Sequence, residues 1–292
     1  MKYSNDYVDE KYSSILEPNL FADTVLFPGI TYNDKIADGD VRAGLVHIYK
    51  ETATAQASPG TPAGDFSHTA TANSLIDLRL NNAFRKSRKI YKVTTNSCSY
   101  AKAEENLSLI VAENRRDRQA AALACLIQEG TLVTGDALTG GSTSNLKAKI
   151  VATRATLRKK HAKPNVVLAN VDTFGLMLEV AGSQYTPNIN ERIISSGQVG
   201  NYLGMTWFEV DALQGAAEYY DHAGILQDVD LDDVNFIMYD ASAFHIQDNL
   251  DAMGLVNGQP DFVGVYAQNE INSGFRVSNA DKVAVYTQYS SI

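Results

Sequence analysis

The chain has 292 residues, 45% of them hydrophobic and 20% charged, enough for a sizeable buried core in one large domain or two modest ones. No run of about 18 apolar residues occurs, so no membrane-spanning helix is expected, and the polar start from Met1 to Asp6 lacks the apolar stretch of a secretory signal, which points to folding in a cytoplasm. A net charge of −9 argues against nucleic-acid binding by the whole surface.

Residues 1–29 read as an arm. Pro18, Pro28 and Gly29 interrupt any helix, and Phe21, Val25, Leu26 and Phe27 follow no clean period. Such a segment has too little apolar surface to fold alone and needs another surface to lie on. A long hairpin is expected next, over residues 30–80. The stretch Val41 to Lys50 is β-branched and aromatic, and Ile76, Leu78 and Leu80 alternate with Asp77, Arg79 and Asn81, the period of a half-buried strand. Between them, 17 of the 21 residues from Thr52 to Ala72 are Ala, Thr, Ser, Gly or Pro. That composition cannot build a core, so a flexible or extended tip is expected.

A third strand is expected at Lys89–Thr94, and then the clearest helix. Ala103, Leu107, Ile110, Val111, Ala121, Ala122, Cys125 and Leu126 recur at helical spacing, no Gly or Pro interrupts Ala101 to Glu129, and Gly130 supplies a stop. Twenty-nine residues give about 43 Å, more than twice an ordinary globular helix. The second half reads as α/β. A basic helix is expected from Asn145 to Ala162, ended by Pro164, then a short buried strand at Val166–Ala169 and a helix through Val180 capped by Asn170 or Asp172. Strands are expected at Thr206–Leu213, Asn235–Tyr239, Phe262–Ala267, Phe275–Ser278 and Val283–Tyr289.

Charge is segregated along the chain. Arg79 to Lys102 holds seven Lys/Arg and no acids, as does Leu146 to Lys163, whereas Glu209 to Lys282 holds fourteen acids and two bases. These stretches meet either within one monomer or between copies, where complementary charge fixes register.

No catalytic constellation is legible. His47, His68, His161, His222 and His245 lack the spacing of a zinc site, and Cys98 and Cys125 read as two thiols, not a disulfide framework. Gly135 to Gly141 lacks the Lys and Ser/Thr of a phosphate loop and reads as a relaxed turn. Asp228 to Asp233 puts Asp233 and Tyr239 where a calcium loop needs Gly and Glu, so a solvated acidic turn is expected. No cofactor is implied, and the chain is expected not to be an enzyme.

In their order these parts resemble the Hong Kong 97-type major capsid fold of tailed bacteriophages. Asn165-Val166-Val167-Leu168-Ala169-Asn170 running into Thr173-Phe174-Gly175-Leu176-Met177 is similar to the family's strand-then-helix element. Gly200 to Val210 is similar to its glycine turn and strand, and Phe275-Arg276-Val277 through Lys282 to Tyr286 to its closing strands. The resemblance implies an α+β fold with an N-terminal arm (1–29) and an extended β-hairpin loop (30–80). It further implies a peripheral domain (81–140 and 257–279) with a spine helix at 101–129, and an α/β axial domain (141–256 and 280–292). It also implies copies assembling as pentamers and hexamers into an icosahedral shell around non-specifically held double-stranded DNA, a virion location and assembly in the host cytoplasm. A separate scaffolding protein, a portal and decoration proteins are the further partners. The alternatives are an encapsulin-like cellular compartment and a cytosolic α/β enzyme.

Intersubunit contacts are expected at Lys50, Ile76, Leu78 and Leu80 on the hairpin and at Arg115, Arg116 and Arg118 on the helix, the arginines facing acids of a neighbour. Some members of the family join a loop lysine to an asparagine of a neighbour. Lys50 lies in the hairpin, but no residue identifies such a bond.

Overall fold

The computed structural model describes residues 37–40, 44–51, 73–91, 101–140, 144–184, 198–257 and 264–288. The expected arm at 1–29, the hairpin tip at 52–72, His68 and Cys98 lie outside them. In chain order the strands of the first half are β1 (Ala37–Asp40), β2 (Leu45–Glu51), β3 (Asn73–Arg79) and β4 (Asn82–Tyr91), followed by helix α1 (Ala101–Glu129) and β5 (Thr131–Thr134). Then come α2 (Leu146–Lys159), β6 (Val166–Ala169), α3 (Val171–Gln184), β7 (Gln198–Tyr202), β8 (Met205–Glu209), β9 (Ala216–Tyr220) and β10 (Leu226–Asp230). The chain closes with β11 (Val234–Tyr239), β12 (Phe244–Asn257), β13 (Gly264–Val277) and β14 (Val283–Thr287).

A mixed sheet of six strands, in the order β5-β14-β11-β6-β8-β7, is the centre of the molecule. Side chains alternate across a strand, and here each alternation feeds a different core. Val166, Leu168, Ile237, Tyr239, Val283 and Val285 point to the face covered by the end of α1. Val167, Ala169, Met238, Ala284, Phe236 and Tyr286 point to the face covered by α2 and α3, where Phe236 stacks on Tyr286 at 4.8 Å. Being covered on both faces is why β6, β11 and β14 read as continuous apolar runs in the sequence. Asn170 caps α3 by accepting from the Thr173 backbone N–H at 2.9 Å, so of the two expected caps Asn170 serves.

α1 has the expected limits but not the expected single stripe. Ile110 packs with Ile90 and Ala267, while every residue from Ala121 to Ile127 is buried. That end is enclosed by the six-stranded sheet and by residues of β9, β10, β12 and β13, so burial there ignores helical period. Cys125 lies inside it, and burial pushes its thiol well above the ordinary range, an inert position.

The other sheets are antiparallel. β12, β13 and β4 form one, with β12 and β13 a hairpin of two 14-residue strands, about 46 Å long and thus matched to the length of α1 beside them. Two expectations change here. Gly264–Ala267 and Phe275–Val277, expected as parts of two strands, belong to one, because β12 and β4 satisfy the backbone of the polar stretch between them on both sides. β12 was not expected at all, its Asp- and Asn-rich sequence being a poor strand former on its own. β12 pairs with β13 along its length, on either side of the expected 256/257 boundary. β9 and β10 form a two-stranded hairpin, and the acidic segment expected as a turn divides: Asp228–Asp230 ends β10 while Asp232 and Asp233 turn toward β11, with Val229 and Leu231 buried and Asp228 and Asp230 facing out. Gly135 serves close packing, since a Cβ there would collide with the Tyr286 ring.

Candidate functional site: assembly surfaces

β1, β2 and β3 form the described part of the expected long hairpin. Val46 stands opposite Leu78 and Ile48 opposite Ile76, on one face, and His47 opposite Asp77 on the other, joined by a 2.9 Å contact. Val46, Ile48, Leu78 and Leu80 make a small core of their own, with Ile76 at its margin. Leu78 and Leu80 are 0% and 6% exposed within a single chain. The hairpin base turns these two side chains inward, into its own small core. What it offers outward is Leu75, 56% exposed, the alternate residue of the same strand. The Lys50 backbone pairs with Ser74 in this sheet.

The basic flank of α1 divides. Arg118 donates from Nη2 to both carboxylate oxygens of Asp248 on β12, at 2.9 and 2.7 Å, and from Nε to the same carboxylate at 3.1 Å and to the Ser273 hydroxyl at 2.9 Å. Asp248 belongs to the acidic stretch expected to meet the helix between copies, so at Arg118 that match is made within the chain. The cause is the unforeseen β12, which lies beside the helix. Arg116 approaches Asp211 at 3.9 Å, and Arg115 is exposed. On the same helix, Glu113 pairs with Arg88 at 2.8 Å and Asp117 with Lys86 at 2.7 Å, both from β4. Asn114, fully buried, donates to the Phe84 carbonyl and to the Asn269 side chain, holding the helix to the sheet.

Two surfaces were missed by the sequence reading. Tyr220, Ile225 and Leu226 cluster, exposed, at the tip of the β9–β10 hairpin. Asn82 fixes that hairpin: its amide donates to the Tyr220 carbonyl at 3.1 Å and accepts from the Tyr220 N–H at 2.7 Å, as a strand would. The alternation of Ala217 and Tyr219 with Glu218 and Tyr220 was the available signal. On the outer face of the β12-β13-β4 sheet, Arg85 and Glu270 pair at 2.8 Å beside an open groove of about 490 Å³ lined by Ser87, Gly254, Val256 and Gln268. Among the described residues, no three His, Cys, Asp or Glu are grouped to hold a metal ion, and no helix is long and apolar enough to cross a membrane.

No protein-family model matches the sequence, and no curated protein matches it. Solved structures do. The chain aligns with a structure from Mycobacterium phage Che8 over 98% of its own length and 99% of that chain, with TM-score 0.66 and 17% identity. It aligns with a chain of the bacteriophage PhiM1 mature capsid over 97% of its length and 92% of that chain, with TM-score 0.65 and 13% identity. The fold is a phage capsid fold. A chain of the cyanophage P-SCSP1u capsid shares it over 85% of this chain and 84% of its own, with TM-score 0.56 and 10% identity. This capsid fold agrees with the resemblance carried by the order of elements in the sequence.

Proposed function

We propose that the chain is a major capsid protein whose copies assemble as pentamers and hexamers into an icosahedral shell around packaged phage double-stranded DNA. One observation carries the reading: near end-to-end correspondence with a chain of a mature phage capsid, with neither partner leaving a large part unmatched. In this reading 1–29 is the N-terminal arm, 30–80 the extended loop, and α1 the spine helix of a peripheral domain formed by 81–140 and 257–279. The pairing of β12 argues for extending that second piece back to 244. The axial domain comprises the rest of 141–256 with 280–292.

The physics suits assembly. The loop's base has its own core, while its outward residues, Leu75 foremost, remain for a neighbour. Apolar burial contributes roughly 25 cal/mol per Å², and a modest contact repeated around a closed shell gains avidity. Arg115 and Arg116, with Lys50 and Ile76 on the loop, are the remaining candidate intersubunit contacts. A separate scaffolding protein, a portal and decoration proteins are the partners this reading requires or allows, and DNA is held without sequence preference.

The test is the particle itself. The purified chain, expressed alone or with a scaffolding protein, is examined by size-exclusion chromatography and negative-stain microscopy. Closed megadalton shells are expected, and a chain that stays monomeric or dimeric under both regimes overturns the reading. Charge reversal at Arg115 and Arg116 is expected to impair shell formation; normal shells that retain DNA poorly would instead assign these residues to the genome.

A further inference from the structure

The β9–β10 hairpin is covered on one face and bare on the other. Ala217, Tyr219 and Val229 are buried in the core beside α1. The outer face is graded along its length. At the tip Tyr220 stands opposite Leu226, 44% and 47% exposed, beside Ile225 at 59%. Next, Glu218 stands opposite Asp228, and at the base Asp230 opposite Ala216. Two carboxylates directly opposed across antiparallel strands destabilise the pair. Both are exposed, and neither has an ion-pair partner among the described residues. The hairpin thus carries an electrostatic cost that a cationic surface would relieve.

α2 carries the converse surface. Its outward side exposes Val151, at 47%, with Ala148 and Ala155, between Lys147 at one end and Arg158 and Lys159 at the other. These three cations have no ion-pair partner among the described residues. Val151 to Arg158 spans about 10 Å of helix, and Leu226 to Asp228, the carboxylate opposite Glu218, about 7 Å of strand. Both gradients run from apolar to charged, over lengths within a few ångströms of each other.

They cannot meet within one chain. α2 covers one face of the six-stranded sheet and the β9–β10 hairpin packs into the core on the opposite face. Complementary surfaces on opposite sides of one subunit make a head-to-tail contact, the kind that generates rings when the rotation closes.

We propose that the outer face of the β9–β10 hairpin of one copy docks on the outward face of α2 of the next. Tyr220, Ile225 and Leu226 lie over Val151 and its flanking alanines, and Glu218 and Asp228 meet Arg158 and Lys159. The contact rests on the shell reading, which supplies the sister copies, and names one interface that closes its rings.

The experiment reverses each side and then both. The Glu218→Lys, Asp228→Lys variant and the Arg158→Glu, Lys159→Glu variant are each expected to lower particle yield by about tenfold or more, since opposed like charges at an interface cost several kcal/mol. The chain carrying all four substitutions is expected to recover most of the yield, which also separates a lost contact from a failure to fold. Wild-type yield from either reversed variant overturns the contact, as does a combined variant that assembles no better than its parents. A wild-type chain that never assembles defeats the shell reading and this contact together, whereas normal wild-type shells with indifferent variants defeat the contact alone.

Discussion

Asn82→Ala removes three side-chain hydrogen bonds with one substitution, two of them to the Tyr220 backbone, and tests how the β9–β10 hairpin is held. Asn82 is buried at the start of β4, and its amide pairs with both backbone groups of Tyr220 while also donating to the Asn81 side chain at 3.1 Å. Alanine leaves the Tyr220 N–H and carbonyl without partners. An orphaned polar group costs about 1–3 kcal/mol when buried. Tyr220 is partly exposed, so water recovers some of this, and a net loss of about 2–3 kcal/mol is expected. For a chain of this size that corresponds to a fall in melting temperature of roughly 4–6 °C. The measurement is thermal or urea unfolding of the unassembled subunit followed by circular dichroism. Asn82→Asp provides an internal check. It keeps the acceptor for the Tyr220 N–H but sets a carboxylate against the Tyr220 carbonyl, so it should lose at least as much at neutral pH. An alanine variant melting within about 1 °C of the parent would refute the strand-like role assigned to this side chain.

Burial, and secondarily the charge of Lys282, push the imidazole of His245 down to about 4. The folded state therefore holds fewer protons than the unfolded chain below about pH 6.5, so its stability is complete above that value. It is lost as pH falls toward 4, by about 3 kcal/mol. Urea midpoints at pH 7.5 and 4.5 should converge in His245→Phe relative to the parent, and an unchanged pH dependence would count against it. Arg118→Leu should destabilise the subunit by about 1–2 kcal/mol, the pair being partly screened by water at Asp248; equal loss in Asp248→Asn, read by urea unfolding, would support a shared cause. Gly274→Ala places a Cβ 2.5 Å from the Arg79 carbonyl oxygen, where backbone would have to yield, so a loss of roughly 1–3 kcal/mol in the same assay is expected, and a neutral result would contradict that close approach.

Much of this fold was legible because the relevant signals are local. The uninterrupted run from Ala101 to Glu129, closed by Gly130, defines α1 without reference to any other element. The apolar run Val166–Ala169 with Asn170 after it defines a strand and a capped helix in the same way. What the sequence could not supply is which element lies beside which. β12 owes its existence to 13 residues of partner backbone, and once it is in place Arg118 finds Asp248 within its own chain. Leu78 and Leu80 alternate as a half-buried strand should, but only the hairpin's closure on Val46 and Ile48 turns them wholly inward and leaves Leu75 outside. Periodicity records that a residue has a buried side; the identity of what covers it is a property of contacts between residues far apart in the chain. For the same reason the acids of β10 and the bases of α2, each visible as charge in the sequence, become opposed faces of one subunit only through the sheet that separates them.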